Sequence, residues 1–283
     1  MTLGGLKERV KAVAQSKSIT FNLAWQQFQL ERFLARVAKS EHHDKFIFKG
    51  GLLLAQYLKI GRETKDIDFL MTKIQSEEGA IESAMKEIAA INLSDAFTYV
   101  FDDIDQLTQD HMAYPGFRVN MKTNCFEKMP GKIQVDIGVG DMVTAVENKF
   151  KPLVYKGKPI FEGEISLLVY PVETIFAEKL ETIMSKGTVN SRMKDYHDVL
   201  LMIREPGLLD LDKVKSSVTT TFKTRETAKS FPIQFSAGSV DDMQPYWNGH
   251  LASLGSYKVE LNMPDKLSDA LAEINDWVVK KGL

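Results

Sequence analysis

The spacing of apolar residues predicts both helices and strands in the first half of the chain. Residues 21–39 place apolar side chains at helical spacing with charges between them, which predicts an amphipathic helix, and residues 77–91 predict a further helix. Short runs rich in β-branched and aromatic residues predict strands. These runs are "KFIFK" and, with an alternating pattern, "DIDFLMT", followed by "FTYVFDDI", "GFRVNMKTN" and "KIQVDIGVG".

The pattern becomes mainly helical near Pro171. Residues 172–186 and 192–203 are both amphipathic at helical spacing. This change predicts two domains, an α+β domain at residues 1–168 and a mainly helical domain at residues 169–283. The stretch from 230 to 260 is irregular in pattern, and no element is predicted there.

Composition narrows the class of protein. Hydrophobic residues make up 44% of the 283 residues and charged residues 26%, which is ordinary for a globular protein. The net charge of −2 argues against wholesale coating of nucleic acid, although a local basic patch is compatible with it. A single cysteine, Cys125, excludes an intramolecular disulfide, and neither a signal-peptide pattern nor a membrane-spanning apolar run is present. We therefore expect a cytoplasmic protein with no membrane segment.

Candidate chemistry lies in residues 49–70, "KGGLLLAQYLKIGRETKDIDFL". Strand alternation places Asp66 and Asp68 on one face, and two adjacent carboxylates favour a cation between them. Mg²⁺ prefers such oxygen ligands, and Asp136 on a later predicted strand is a candidate third carboxylate. Gly50 and Gly51 precede a segment of helical length, where backbone N–H groups and the helix dipole favour an anion. The segment therefore predicts a phosphate-binding turn, a returning helix and a metal-binding strand.

A simpler interpretation exists for each motif alone. An isolated D-x-D pair is usually solvated on an exposed face, and an isolated glycine pair is usually a turn. The order of the motifs favours the metal site, because G-G is followed at a fixed distance by R-x-T-x-D-x-D and then by a lone aspartate on a further strand.

These motifs carry a family resemblance. "FKGG…RETKDID…QVDIGVG" resembles the nucleotidyltransferase superfamily with a DNA polymerase β-type core. The "KGG" form, "ETIFAEKLETI" and "RMKDYHDVLLM" further resemble the AbiEii/AbiGii nucleotidyltransferase toxins of type IV toxin–antitoxin and abortive-infection systems, over roughly residues 25–205. The resemblance implies an α+β fold with a polymerase β-like core, a mixed sheet flanked by helices, and a mostly helical C-terminal domain that contributes active-site residues.

The resemblance also implies roles for individual residues. Gly50 and Gly51 match the phosphate-binding glycines, and Asp66 and Asp68 match the metal-binding pair. Lys179 matches a lysine that contacts the nucleotide triphosphate, and Asp195 matches an active-site acid. Asp136 matches the third carboxylate of the superfamily, a position that varies in the toxin-like branch. Further positions that the resemblance places in support of the site are Lys49, Arg62, Thr64, Arg192 and Asp198. The chain departs from its relatives at Leu52, where they often carry Thr or Ser.

The residues of the second half leave alternatives open when taken alone. Lys179 lies beside an apolar stripe, so it either lays its stem along that surface with its ammonium in water or serves as a charge for the triphosphate. Arg192, Asp195 and Asp198 follow one another at intervals of three, which exposed helix salt bridges explain nearly as well as a functional cluster.

The function implied by the resemblance is transfer of a nucleoside monophosphate from an NTP to an acceptor hydroxyl, with Mg²⁺ as cofactor and pyrophosphate released. For a toxin of this kind the expected acceptor is the 3′ end of tRNA, and a cognate antitoxin is the expected partner. Two alternatives are transfer to a small molecule such as an antibiotic, and a nucleotide-binding module that has lost catalysis.

Overall fold

The computed structural model describes residues 1–73, 77–107, 116–140, 143–161, 163–189, 191–235 and 238–283. The chain divides into two compact units. The first comprises Met1–Gln56, Glu63–Asp141 and Ala145–Tyr170, and the second comprises Tyr57–Arg62, Met142–Thr144 and Pro171–Leu283. The division into domains at residue 168 stays a prediction. None of the described helices is both long and apolar enough to cross a bilayer.

A mixed β-sheet forms the centre of the first unit. Within the described ranges it has seven strands, in the order β3 (Phe97–Leu107), β4 (Gly116–Cys125), β5 (Met129–Val139), β2 (Asp66–Met71), β1 (Phe46–Lys49), β9 (Ile165–Val169) and β6 (Val146–Phe150). Strand β2 runs parallel to β5 and antiparallel to β1, and β1 runs parallel to β9. The five predicted strands are confirmed as β1 to β5. Two further short strands, β7 (Val154–Tyr155) and β8 (Lys158–Pro159), pair antiparallel in a separate two-stranded sheet.

Helices flank this sheet. The bounds are α1 Leu3–Ser16, α2 Phe21–Lys39, α3 Gly50–Leu54 and α4 Glu78–Ala90. Helix α2 begins after Thr20, whose hydroxyl accepts a hydrogen bond from the amide of Leu23, and it packs against α1, β5 and β9. The helix predicted at residues 21–39 is therefore confirmed. Its charged side is not solvated as an amphipathic pattern suggests, because Arg32 and Arg36 are buried in an ion pair with Asp95.

The second unit consists mainly of helices. Their bounds are α5 Val172–Lys186, α6 Met193–Arg204, α7 Leu211–Thr224, α8 Ser239–Leu254, α9 Tyr257–Glu260 and α10 Leu267–Lys281. Helix α5 packs on α6 and α7, and α10 packs on α6 and α8. The helices predicted at 172–186 and 192–203 are confirmed as α5 and α6. The stretch at 230–260 contains α8 and α9, apart from residues 236 and 237, which lie outside the described residues. The sequence pattern does not indicate α8, because Pro245 lies inside it and proline ordinarily argues against a helix interior.

The helix that follows the glycine pair is shorter than predicted. The sequence pattern predicts a full helix, but α3 ends at Leu54 after five residues. Residues 57–62 belong to the second unit, where the carbonyl of Ile60 accepts a hydrogen bond from His197 at 2.8 Å and Arg62 pairs with Asp198. Residues 57–62 make these contacts and do not continue α3. A helix of one turn also has little macrodipole, so the predicted dipole contribution to anion binding is not supported.

Candidate active site

Charged side chains form a row across four neighbouring strands of the first unit. Arg118 on β4 lies opposite Asp136 on β5, and Asp136 lies beside Asp68 on β2. Asp68 in turn lies opposite Lys49 on β1. Side chains in register on adjacent strands share a face of the sheet and come within contact distance. The strand order β4-β5-β2-β1 therefore produces a row with a cation at each end and two carboxylates between them.

A cluster of three carboxylates lies on this face. Asp66 and Asp68 alternate with Ile67, which is fully buried on the other face, as strand alternation predicts. Oxygen atoms of Asp66, Asp68 and Asp136 lie within 4.8 Å of one another, and all three side chains are partly exposed. Carboxylate oxygens at this spacing are the donor set that hard divalent cations such as Mg²⁺ prefer. The residues present therefore fit a divalent metal ion.

The glycine turn approaches the same carboxylates. Gly50 has φ of +76°, and a Cβ at this position would lie 1.9 Å from Oδ2 of Asp68. Only glycine tolerates both the left-handed backbone and this close approach. Gly51 follows as the second residue of α3, and the next residue, Leu52, is buried in the core. The backbone at the glycine pair therefore lies directly against a proposed metal ligand.

Two further predicted residues border this part of the first unit. The ammonium of Lys49 donates a hydrogen bond to the hydroxyl of Tyr170 at 3.3 Å and lies 4.7 Å from the centre of its ring. Thr64 is buried immediately ahead of β2. Tyr170 was not identified from the sequence, because only the pairing of β1 with β9 brings the end of β9 beside Lys49.

Asp136 accepts hydrogen bonds from Arg118 and Gln134, neither of which the sequence marks as a candidate site residue. Arg118 forms a bidentate ion pair with it, with Nε 2.9 Å from Oδ1 and Nη2 2.8 Å from Oδ2. Gln134 donates to Oδ1 at 3.1 Å. Hydrogen bonds to Asp136, with smaller contributions from the charges of Asp66 and Asp105, raise the pKa of the Arg118 guanidinium. Arg118 therefore stays cationic beside the carboxylate cluster.

The second unit contains a separate buried charge cluster. The ammonium of Lys179 on α5 lies 3.0 Å from Asp195 and 2.6 Å from Asp198, both on α6. The side chain of Lys179 is 11% exposed and that of Asp198 is 0% exposed. The ammonium is therefore paired in the interior and does not extend into water along an apolar surface, which was one of the two alternatives.

Two arginines complete this cluster. Arg62 donates from Nε and Nη2 to the two oxygens of Asp198 at 2.8 Å and 2.7 Å. Arg192, half exposed, donates to Asp195 at 3.1 Å. Because Asp195 and Asp198 are both buried, exposed helix salt bridges do not explain their spacing. The three-residue intervals instead bring two carboxylates of α6 to one lysine of α5.

The cluster also shifts the protonation equilibria of its members. Burial alone would raise the pKa of the Asp198 carboxyl, but Lys179 and Arg62 hold it well below its ordinary value. Burial alone would lower the pKa of Lys179, but Asp198 and Asp195 raise it instead. Both groups are therefore charged at neutral pH.

Two histidines support the backbone next to Arg62. Since a carbonyl only accepts, Nε2 of His197 donates to the carbonyl of Ile60, and its Nδ1 then accepts from Nε2 of His250 at 3.1 Å. Burial and the neighbouring His197 lower the pKa of His250 to about 4. Both rings are therefore neutral near pH 7. Sequence reasoning missed this pair, since the two residues are 53 positions apart.

The structure thus places the predicted site residues in two groups, each within one unit. The first unit holds Lys49, Gly50, Gly51, Thr64, Asp66, Asp68 and Asp136. The second unit holds Arg62, Lys179, Arg192, Asp195 and Asp198. Their roles in binding and catalysis stay predictions.

Among solved structures, the chain is similar to MenT4, the nucleotidyltransferase toxin Rv2826c from Mycobacterium tuberculosis H37Rv, with 14% identity, a TM-score of 0.57, and coverage of 96% of this chain and 89% of that one. It also matches JHP933 from Helicobacter pylori, with 15% identity, a TM-score of 0.42 and 89% coverage of each chain. The likeness to MenT4 confirms the predicted fold, a mixed sheet flanked by helices.

Sequence comparison gives the family. No curated protein sequence matches the chain. Residues 32–273 match the family described as nucleotidyl transferase AbiEii toxin, type IV TA system. Because this match extends over most of the 283 residues, the chain belongs to the AbiEii family of nucleotidyltransferase toxins of type IV toxin–antitoxin systems.

Proposed function

We propose that this nucleotidyltransferase uses Mg²⁺ to transfer a nucleoside monophosphate from an NTP to an RNA acceptor, the 3′ end of tRNA, with release of pyrophosphate. The observation that carries the proposal is the convergence of Asp66, Asp68 and Asp136 within 4.8 Å beside the turn at Gly50. NTP and tRNA are cytoplasmic, so the proposed place of action is the cytoplasm. A cognate antitoxin is the proposed partner, as the family implies.

The first unit supplies the proposed metal and phosphate ligands. Asp66 and Asp68 would hold the divalent ion, with Asp136 as the adjoining carboxylate. When bound, the ion would neutralise charge on the triphosphate and lower the pKa of the acceptor hydroxyl. The backbone at Gly50 and Gly51 has no side chain to obstruct a phosphate, so its N–H groups would donate to phosphate oxygens.

The second unit supplies the proposed cationic and acidic groups. Lys179 would donate to the triphosphate, and Asp195 would position the acceptor hydroxyl. Asp198 holds both Lys179 and Arg62 and thereby fixes the two cations in place. These roles follow the family resemblance, and the buried ion pairs support them because each cation has a defined orientation before any nucleotide binds.

Labelled NTPs test the proposal. The purified protein is incubated with Mg²⁺, total tRNA and each labelled NTP in turn, beside Asp66→Asn and a control, Asp44→Asn. Asp44 is an exposed aspartate that pairs with Lys73, so its loss removes the same charge from the surface. We expect label on tRNA with the wild type and with Asp44→Asn, and at least about a hundredfold less with Asp66→Asn.

Other outcomes separate the alternatives. Label at the 3′ end is recognised because prior periodate oxidation of the terminal ribose removes the acceptor. Pyrophosphate release with small hydroxylated compounds, and no label on RNA, would contradict the RNA acceptor and favour a small molecule. NTP binding without turnover on either acceptor would favour a binding module. Chelation of divalent ions by EDTA should abolish labelling, and restoration by Mg²⁺ at millimolar concentration would support that ion.

A further inference from the structure

Arg118 is a cation that pairs directly with Asp136, one of the three carboxylates proposed to bind metal. The inference that follows rests on the proposed function, because it concerns the metal content of that site. Arg118 and Asp136 are directly opposite each other on β4 and β5, and the bidentate pair between them joins both carboxylate oxygens.

The hydrogen bonds to Asp136 leave little room for metal coordination. A carboxylate has about four lone-pair positions. At Oδ1, one is taken by Nε of Arg118 and one by Nε2 of Gln134, and at Oδ2 a third is taken by Nη2 of Arg118. Asp136 can therefore offer one further position at most, which is too little to bridge two metal ions.

The formal charges around Asp136 also favour one bound ion over two. Four carboxylates, those of Asp66, Asp68, Asp136 and of Asp105, which lies opposite Arg118 on β3, contribute four negative charges. Lys49 and Arg118 contribute two positive charges, so the formal sum of these six residues is −2. One divalent ion balances this sum, and a second would face two fixed cations and an already neutralised cluster. Repulsion between like charges a few ångströms apart is large when the groups are partly removed from water.

We propose that Arg118 is a positioning residue that acts as a fixed cation at Asp136, so that the free protein holds one divalent ion, through Asp66 and Asp68, and not two. Asp136, anchored by Arg118, would have at most one oxygen position left for that ion.

Counting bound Mn²⁺ in the absence of nucleotide tests this inference. Binding removes the six-line electron paramagnetic resonance signal of free Mn²⁺, so a titration gives the number of ions bound per chain. The variants are Arg118→Met, which removes the charge, and Arg118→Lys, which retains it. Lys122→Met is the matched control, because Lys122 lies on the same strand and face but pairs with Asp102 on β3. Circular dichroism melting checks that each variant is folded.

We expect one bound ion for the wild type, Arg118→Lys and Lys122→Met, and two for Arg118→Met. A single ion bound to Arg118→Met, or two bound to the wild type, would show that Arg118 does not set the metal content. Asp66→Asn separates this failure from that of the proposed function. If Asp66→Asn binds as many ions as the wild type, Asp66 does not hold the ion, and both the proposed metal site and the role of Arg118 built on it are wrong.

Discussion

Replacement of Gly50 by alanine imposes two distinct costs, and the structure allows them to be separated. The first is backbone strain, since φ is +76° and an L-residue in the left-handed region costs about 1–2 kcal/mol. The second is a clash, since the new Cβ would lie 1.9 Å from Oδ2 and 2.5 Å from Cγ of Asp68. Relief of such overpacking typically costs about 1–3 kcal/mol more. We therefore expect the free energy of unfolding to fall by about 2–5 kcal/mol.

A second glycine provides the control. Gly157 also has φ of +76°, but nothing lies within 4 Å of a Cβ added there. Gly157→Ala should therefore show only the backbone strain, about 1–2 kcal/mol. The difference between the two variants in urea unfolding measures the clash with Asp68.

The same pair of variants reports on function. To accept the new methyl group, the Asp68 carboxylate or the turn must move by about an ångström or more, and displacements of that size cost roughly a hundredfold in rate. Mn²⁺ binding and transfer of labelled NTP should therefore be strongly reduced in Gly50→Ala and unchanged in Gly157→Ala. Equal losses of metal affinity in the two variants, or none in either, would refute the reasoning that the turn and Asp68 form one site.

Three other substitutions test the contributions of buried ionisable side chains to stability. Asp198→Asn leaves the buried cations undercompensated, so urea unfolding should show a loss of about 3–5 kcal/mol, and NTP binding through Lys179 should weaken in a filter-binding assay. Asp95→Asn should cost a similar amount. Burial raises the pKa of Asp95 but Arg36 and a second arginine depress it overall, so wild-type stability should fall as the pH drops below about 4, and that of the variant should fall less. Since the pKa of His250 is about 4 when folded and 6.5 in the reference state, acidification from 6.5 to 4 should cost up to about 3 kcal/mol, and His250→Phe should remove this part of the pH dependence in thermal melts.

Local periodicity accounts for the parts of the fold that the sequence predicts well. The bounds of the helix at residues 21–39 follow from its apolar spacing, and the common face of Asp66 and Asp68 follows from strand alternation, which needs no knowledge of neighbouring strands. The early end of α3 was not predictable in this way. The segment that follows α3 is held by the contact of Ile60 with His197, 137 residues further along the chain, which a local pattern does not reveal.

The candidate site likewise contains residues that local sequence patterns indicate and residues that they do not. The carboxylates are visible in the sequence because their types and spacing are unusual, but Arg118 resembles any other charged residue on an alternating strand. It becomes part of the site through the register of β4 with β5, and register depends on which strands become neighbours. The buried pairing of Arg32 with Asp95 escaped prediction for the same reason, since an arginine between apolar residues of a helix ordinarily faces water.

The contacts of Lys179 are compatible with the proposal that this buried lysine serves a triphosphate. An ammonium group has three N–H donors, and contacts to Asp195 and Asp198 account for two of them. The charge of Lys179 is thus balanced before the nucleotide arrives, and its third donor is held in a fixed direction by two carboxylates of one rigid helix. In the proposed function the triphosphate then gains an oriented hydrogen bond at little cost in side-chain entropy, because that entropy was lost when the protein folded.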